Sequence, residues 1–149
     1  MKIFVDADSC PVPARKVIRK AASRTGISAV FVANRPIPDL GDNTFMELCP
    51  EHEGAADDKI VEMAKQEDLV ITRDVGLAKR LVEKSIAVMD DRGRLFTQEN
   101  IAELYSIRCF QVGLAENNAN IVRTAHYGQQ ELKSFSDSFD KILTSLLKK

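Results

Sequence analysis

The chain has 149 residues and a net charge of −1, from 21 Lys and Arg against 22 Asp and Glu. That length fits one domain able to bury roughly 68–70% of its unfolded surface. Near-neutral charge supplies no overall positive field, which argues against a dedicated nucleic-acid or membrane-surface module but leaves room for an enzyme with a local basic patch. Cys10, Cys49 and Cys109 are an odd number without CxxC spacing and read as free thiols in a reducing compartment. No apolar run reaches membrane-spanning length, and two aspartates fall within the first eight residues, where a secretory segment would be apolar. The cytoplasm is the expected location.

The first predicted element is a strand at Lys2–Val5. Pro11 and Pro13 suit the first turn of a helix in which Ala14, Val17, Ile18, Ala21 and Ala22 recur at helical spacing. Asp8 or Ser9 is its expected N-cap and Gly26 its expected stop. Ser28–Ala33 is continuously apolar, as a strand buried on both faces would be. The segment from Arg35 to Asn43 is rich in turn formers and reads as a long loop. A short strand follows at Phe45–Cys49, then a helix at 55–66, a strand at Leu69–Thr72, a helix at 75–84 and a strand at Ile86–Met89. Asp91–Arg94 reads as a turn, and Thr97 as the cap of a helix running through Tyr105. The polar stretch from Glu116 to Gln130 reads as a mobile loop. Leu132, Phe135, Phe139, Ile142, Leu143, Leu146 and Leu147 then form the stripe of an amphipathic closing helix, expected to join the core, with a homodimer contact as the other use. Alternating strands and helices predict a single three-layer α/β domain with a mostly parallel central sheet.

The chemistry-bearing residues gather where such sheets place ligands, at the C-terminal ends of the strands. Asp6 and Asp8 follow the first strand, and their spacing of two directs both to one side if the backbone stays extended. Asp57 and Asp58 open a helix, Asp57 on the face shared with Ile60, Val61 and Ala64 and Asp58 further round. Asp74 follows the strand that ends in Thr72. Carboxylates in this pattern suit Mg²⁺ or Mn²⁺, which prefer oxygen ligands. The competing reading makes Asp58 and Asp74 ordinary helix-start residues. Arg15, Arg35 and Arg73, with Lys79, Arg80, Arg92 and Arg94, are candidates for a positive rim that holds phosphates. Cys10 lies near a helix start, where a thiol pKa can fall, but only four residues separate it from Arg15, one short of the C-x5-R phosphatase spacing. His52 and His126 lie in polar loops and suggest no zinc site, and there is no P-loop or GxGxxG.

Val5-Asp6-Ala7-Asp8-Ser9-Cys10-Pro11-Val12, Val32-Ala33-Asn34, Ala55-Ala56-Asp57-Asp58, Val70-Ile71-Thr72-Arg73-Asp74 with Leu77-Ala78, Arg92-Gly93 through Asn100-Ile101, and the closing Phe135-Ser136 with Phe139 occur in that order. Together they resemble the YaiI/YqxD family of bacterial proteins, grouped with PIN-like domains. The resemblance implies a PIN-like α/β fold with an acidic metal site, with Asp6, Asp8, Asp57 and Asp74 as the acidic set and Asn34 and Thr72 beside it. The chain departs from the family pattern at Gly54, where an acidic residue is frequent, and at Val75-Gly76, where Ile-Pro is frequent. Three functions follow as expectations. The first is a Mg²⁺- or Mn²⁺-dependent phosphodiesterase acting on RNA or another nucleic acid. The second is a haloacid-dehalogenase-like phosphatase with Asp6 as nucleophile and Asp8 as acid. The third is a non-catalytic metal- or RNA-binding module.

Overall fold

The computed structural model describes residues 1–37, 41–51, 54–116 and 127–148. His52, His126 and most of the polar stretch from Glu116 to Gln130 lie outside the described residues, as do positions 38–40 of the expected loop from Arg35 to Asn43. In chain order the elements are β1 (Lys2–Asp6), α1 (Val12–Thr25), β2 (Ser28–Ala33), β3 (Thr44–Leu48), α2 (Ala55–Met63), β4 (Leu69–Ile71), α3 (Val75–Val82), β5 (Ala87–Met89), β6 (Leu95–Phe96), α4 (Ile101–Glu116) and α5 (Gln129–Leu147). The described strands form one sheet in the order β3-β2-β1-β4-β5-β6. All neighbours are parallel except β5 and β6.

Strand parity builds the three layers. Odd-numbered residues Ile3, Val5, Ala29, Phe31, Leu69, Ile71 and Met89 enter one core, with Ala14, Ile18 and Ala22 of α1 and Phe135, Phe139 and Leu143 of α5. Even-numbered residues Phe4, Val30, Val32, Val70 and Val88 enter the other, with Ile60 of α2, Leu77 and Leu81 of α3 and Ile101 of α4. Two buried faces explain why β1, β2 and β4 read as unbroken apolar runs. The α5 stripe is core: Phe135 and Phe139 are fully buried and stack at 5.4 Å between ring centroids.

The chain leaves β1 outward through β2 to β3, and α2 then carries it back across to β4, on the other side of β1. The direction of winding therefore reverses between β1 and β4. The crevice at the C-terminal ends of those two strands is the topological switch point, where ligands bind in sheets of this kind.

Local chemistry moved several boundaries. Helix α1 begins after Pro11, and neither Asp8 nor Ser9 caps it. Its end at Gly26 is as expected, with φ 75° and an amide donating to the Ala22 carbonyl. Helix α2 stops at Met63 because the buried Asp68 carboxylate takes the Lys65 amide at 2.8 Å and the Lys2 amide at 2.8 Å. Helix α4 runs well past Tyr105; Ile107 and Phe110 are exposed, so its later turns carry no one-sided apolar pattern. Thr97 and Asn100 bond reciprocally just ahead of it, each side chain accepting from the other's amide. The two-residue β6 is too short to show periodicity and is set by the turn before it, where Asp90 Oδ1 accepts from the amides of Arg92 and Arg94.

Candidate acidic site at the strand ends

Register places the first two functional side chains. Val5 pairs with Ile71, so one residue on, Asp6 stands beside Thr72 with the parity that faces α2 and α3. Thr72 Oγ1 donates to Asp6 Oδ2 at 2.9 Å and accepts from the Asp74 amide at 3.0 Å. The Ser9 hydroxyl also reaches Asp6 Oδ2, at 3.3 Å. Asp6 is only 7% exposed. Burial raises its pKa, the bonds from Thr72 and Ser9 pull it back, and the charges of Asp74 and Asp8 add to the rise.

Asp74 is the N-cap of α3: its Oδ1 accepts from the amides of Gly76 at 2.8 Å and Leu77 at 3.3 Å. It does more than cap. Asp57, in the first turn of α2, lies near enough to feel the Asp74 carboxylate. Burial, then the charges of Asp74 and Asp6, raise Asp57 to about 7, against an opposing pull from Arg80. Arg108 Nη2 approaches Asp74 Oδ1 at 3.6 Å from α4.

Asp6, Asp57, Asp74 and Thr72 therefore come together at the switch point, from three different elements. Asp8 does not join them. The extended backbone ends at Asp6, and the amides of Ser9 and Cys10 turn back to the carbonyls of Asp6 and Ala7, so the expected same-side geometry is lost. Asp8 Oδ2 instead accepts from the Asn34 amide at 3.2 Å, so Asn34 contributes through its backbone. Asp58 is exposed and paired with Arg80 at 3.1 Å, as its outward position foretold. Arg73 is bound to buried Asp91 at 2.6 Å, and Lys79 to Glu83 at 2.7 Å, so much of the expected positive rim is answered by local acids. Arg15 and Arg35 have no ion-pair partner among the described residues. The Cys10 thiol is not activated by the helix start: burial, then the charge of Asp91, pushes it up to about 12.

Among the described residues, no group of three or more His, Cys, Asp or Glu side chains stands ready to hold a metal ion. The donor chemistry nevertheless fits a hard cation. Mg²⁺ keeps several waters and takes one or two carboxylates, and the neighbouring Asp57 and Asp74 supply two oxygen-only side chains.

Two side chains bonded to this cluster were not foreseen. Ser9 entered only as a rival cap. Arg108 lies at i+7 from Ile101 and i+4 from Leu104, both of which pack inward. A cation at an inward-facing helix position is the signal that marks it.

The fold and this cluster define an α/β protein with carboxylates and a hydroxyl assembled at a sheet's topological switch point. Residues 4–145 match the family described as "Uncharacterized BCR, YaiI/YqxD family", and the chain belongs to it. It is 42% identical over 148 residues to a UPF0178 protein of Treponema denticola, covering 99% of this chain and 95% of the relative. A UPF0178 protein of Syntrophobacter fumaroxidans is 41% identical, covering 99% and 97%, and one of Treponema pallidum is 40% identical, covering 99% and 84%. No solved structure matches the chain. The structure gives the departure at Gly54 a conformational reason: this residue, the N-cap of α2, has φ 81°, where a residue with a side chain is strained. No described helix is long and apolar enough to cross a membrane.

Proposed function

We propose that the protein is a divalent-metal-dependent phosphodiesterase acting on nucleic-acid strands, RNA first, with Asp57 and Asp74 holding Mg²⁺ or Mn²⁺. The observation that supports it is the convergence of Asp57 and Asp74 beside the buried Asp6 at the switch point, where burial and the neighbouring charges raise Asp57. Like charges held this close bind a proton or a cation. When bound, the metal lowers the pKa of a water and offsets charge growing on the phosphate.

The chain's own residues supply the rest. Thr72 and Ser9 fix the orientation of the Asp6 carboxylate. Asp6 adds negative charge to the crevice, as its effect on Asp57 shows. The Arg108 guanidinium balances Asp74 and faces the site as a counter-charge for a phosphate oxygen. The phosphatase alternative fits less well, because Asp6 Oδ2 accepts two hydroxyl bonds and the residue is almost fully covered, which leaves a poor nucleophile.

Cleavage of a single-stranded RNA with Mn²⁺ tests the reading. Asp74→Asn keeps a good cap residue but removes the charge, and it is expected to lower the rate about 10- to 100-fold with little change in melting temperature. Equal rates for wild type and Asp74→Asn remove the catalytic assignment.

A further inference from the structure

A second hollow, of about 280 Å³, opens on the other side of the loop that follows β1. Asp8, Cys10, Arg15 and Arg35 line it, with Ala7 and Ile37 among its apolar walls. Nothing in the acidic crevice uses these arginines. One comes from the first turns of α1 and the other from the segment after β2, so the fold converges two cations from distant sequence on one small space. The start of α1 lies between Cys10 and Arg15 and carries no side-chain cap, which leaves the positive end of a 14-residue helix beside the same space. Asp8 is the one carboxylate on the lining, and it is occupied by the Asn34 amide. The local balance favours an anion.

Size and charge narrow the ligand. The volume is at the small end for ligand pockets, enough for a phosphate head and the sugar that carries it. Two guanidinium groups match a phosphate monoester, which carries close to two negative charges at neutral pH; an internal diester brings only one. Guanidinium also binds phosphate with paired, parallel hydrogen bonds.

We infer that this hollow is a receptor for the terminal phosphate of a nucleic-acid strand, held by Arg15 and Arg35. The inference rests on the reading of the acidic crevice as a phosphodiesterase site, because it assigns the strand that the crevice would cut. With the end seated in the hollow, the turn at Ala7–Cys10 separates it from Asp6, so the scissile bond is one close to the strand's end. Asp8 then serves the wall between the two sites through its bond to Asn34. The Cys10 thiol, kept protonated by burial, adds no charge against the anion.

The test uses the full chain in EDTA, where binding is read without chemistry. Three otherwise identical short RNA strands carry a 5′-phosphate, a 3′-phosphate or hydroxyls at both ends, and anisotropy reports affinity at one fixed salt concentration. One phosphorylated strand is expected to bind about tenfold more tightly than the hydroxyl strand. Inorganic phosphate should abolish that difference in the wild type, a result that needs no variant. Arg15→Gln and Arg35→Gln should each erase the preference, whereas Asp57→Asn should retain it. Equal affinity for all three strands, or a preference that survives in both arginine variants, overturns the receptor. A wild type that cleaves the hydroxyl-ended strand with Mn²⁺ yet ignores terminal phosphate loses only the receptor. A wild type that discriminates ends but cleaves nothing loses only the phosphodiesterase.

Discussion

Replacing Gly93 by valine is expected to destabilise the protein by about 3 kcal/mol, combining left-handed backbone strain with overpacking. Gly93 closes the turn between β5 and β6 with φ 92°. A Cβ built there would come within 2.5 Å of the Ser134 carbonyl oxygen and 2.8 Å of the Ser138 hydroxyl, both on α5. Backbone cannot move aside as the end of a flexible chain can, so the added atoms push α5 off the sheet. The same helix brings Phe135 and Phe139 into the core, so the displacement reaches fully buried aromatics. Thermal unfolding should show a loss of about 10 °C for a chain of this size. An unchanged melting temperature would mean that α5 does not pack on this turn.

Asp57→Asn should act in the opposite direction, and only above a certain pH. An unfolded aspartate titrates near 3.8, and the folded Asp57 near 7. Between those values the native state binds more protons than the unfolded chain, so wild-type stability falls as pH rises from about 4 to about 7. Asparagine is close to aspartate in shape and cannot ionise. At pH 8 the variant is expected to be more stable than wild type by about 2 kcal/mol, a figure already reduced for screening of a half-exposed carboxyl. Below pH 4 the two should melt together. Asp6 and Asp90 are also raised by burial and give both proteins a residual fall, so the difference between them isolates Asp57. A variant less stable than wild type at pH 8 would show that Asp57 is held as a favourable ion.

Much of the fold was legible because β1, β2 and β4 are buried on both faces and α1 and α5 on one. Continuous apolar runs and a three-and-four spacing are the direct imprint of that burial. The misread parts are those where short-range hydrogen bonds decide. Asp68 ends α2 by seizing the Lys65 amide, and Asp90 shapes the turn that creates β6. Such bonds leave no periodic trace.

The site was legible to the level of strand ends. Asp6, Asp57, Asp74 and Thr72 converge because three segments end at one switch point, and topology of that kind follows from strand–helix alternation. Asp8 went elsewhere because the chain turns immediately after Asp6, and no residue there announces the turn. Arg108 was missed because the later turns of α4 expose Ile107 and Phe110, which hides the inward face on which it lies.

At neutral pH and below, the raised Asp57 carboxyl holds a proton where the proposed divalent cation would bind beside Asp74. Titration calorimetry of Mn²⁺ into the full chain, in buffers of different ionisation enthalpy, reads the protons displaced. The account predicts release of about one proton per cation at pH 6, falling toward zero by pH 9, and no uptake of Mn²⁺ by the Asp57→Asn, Asp74→Asn double variant. Binding whose proton count does not change with pH, or binding that survives in the double variant, would contradict it.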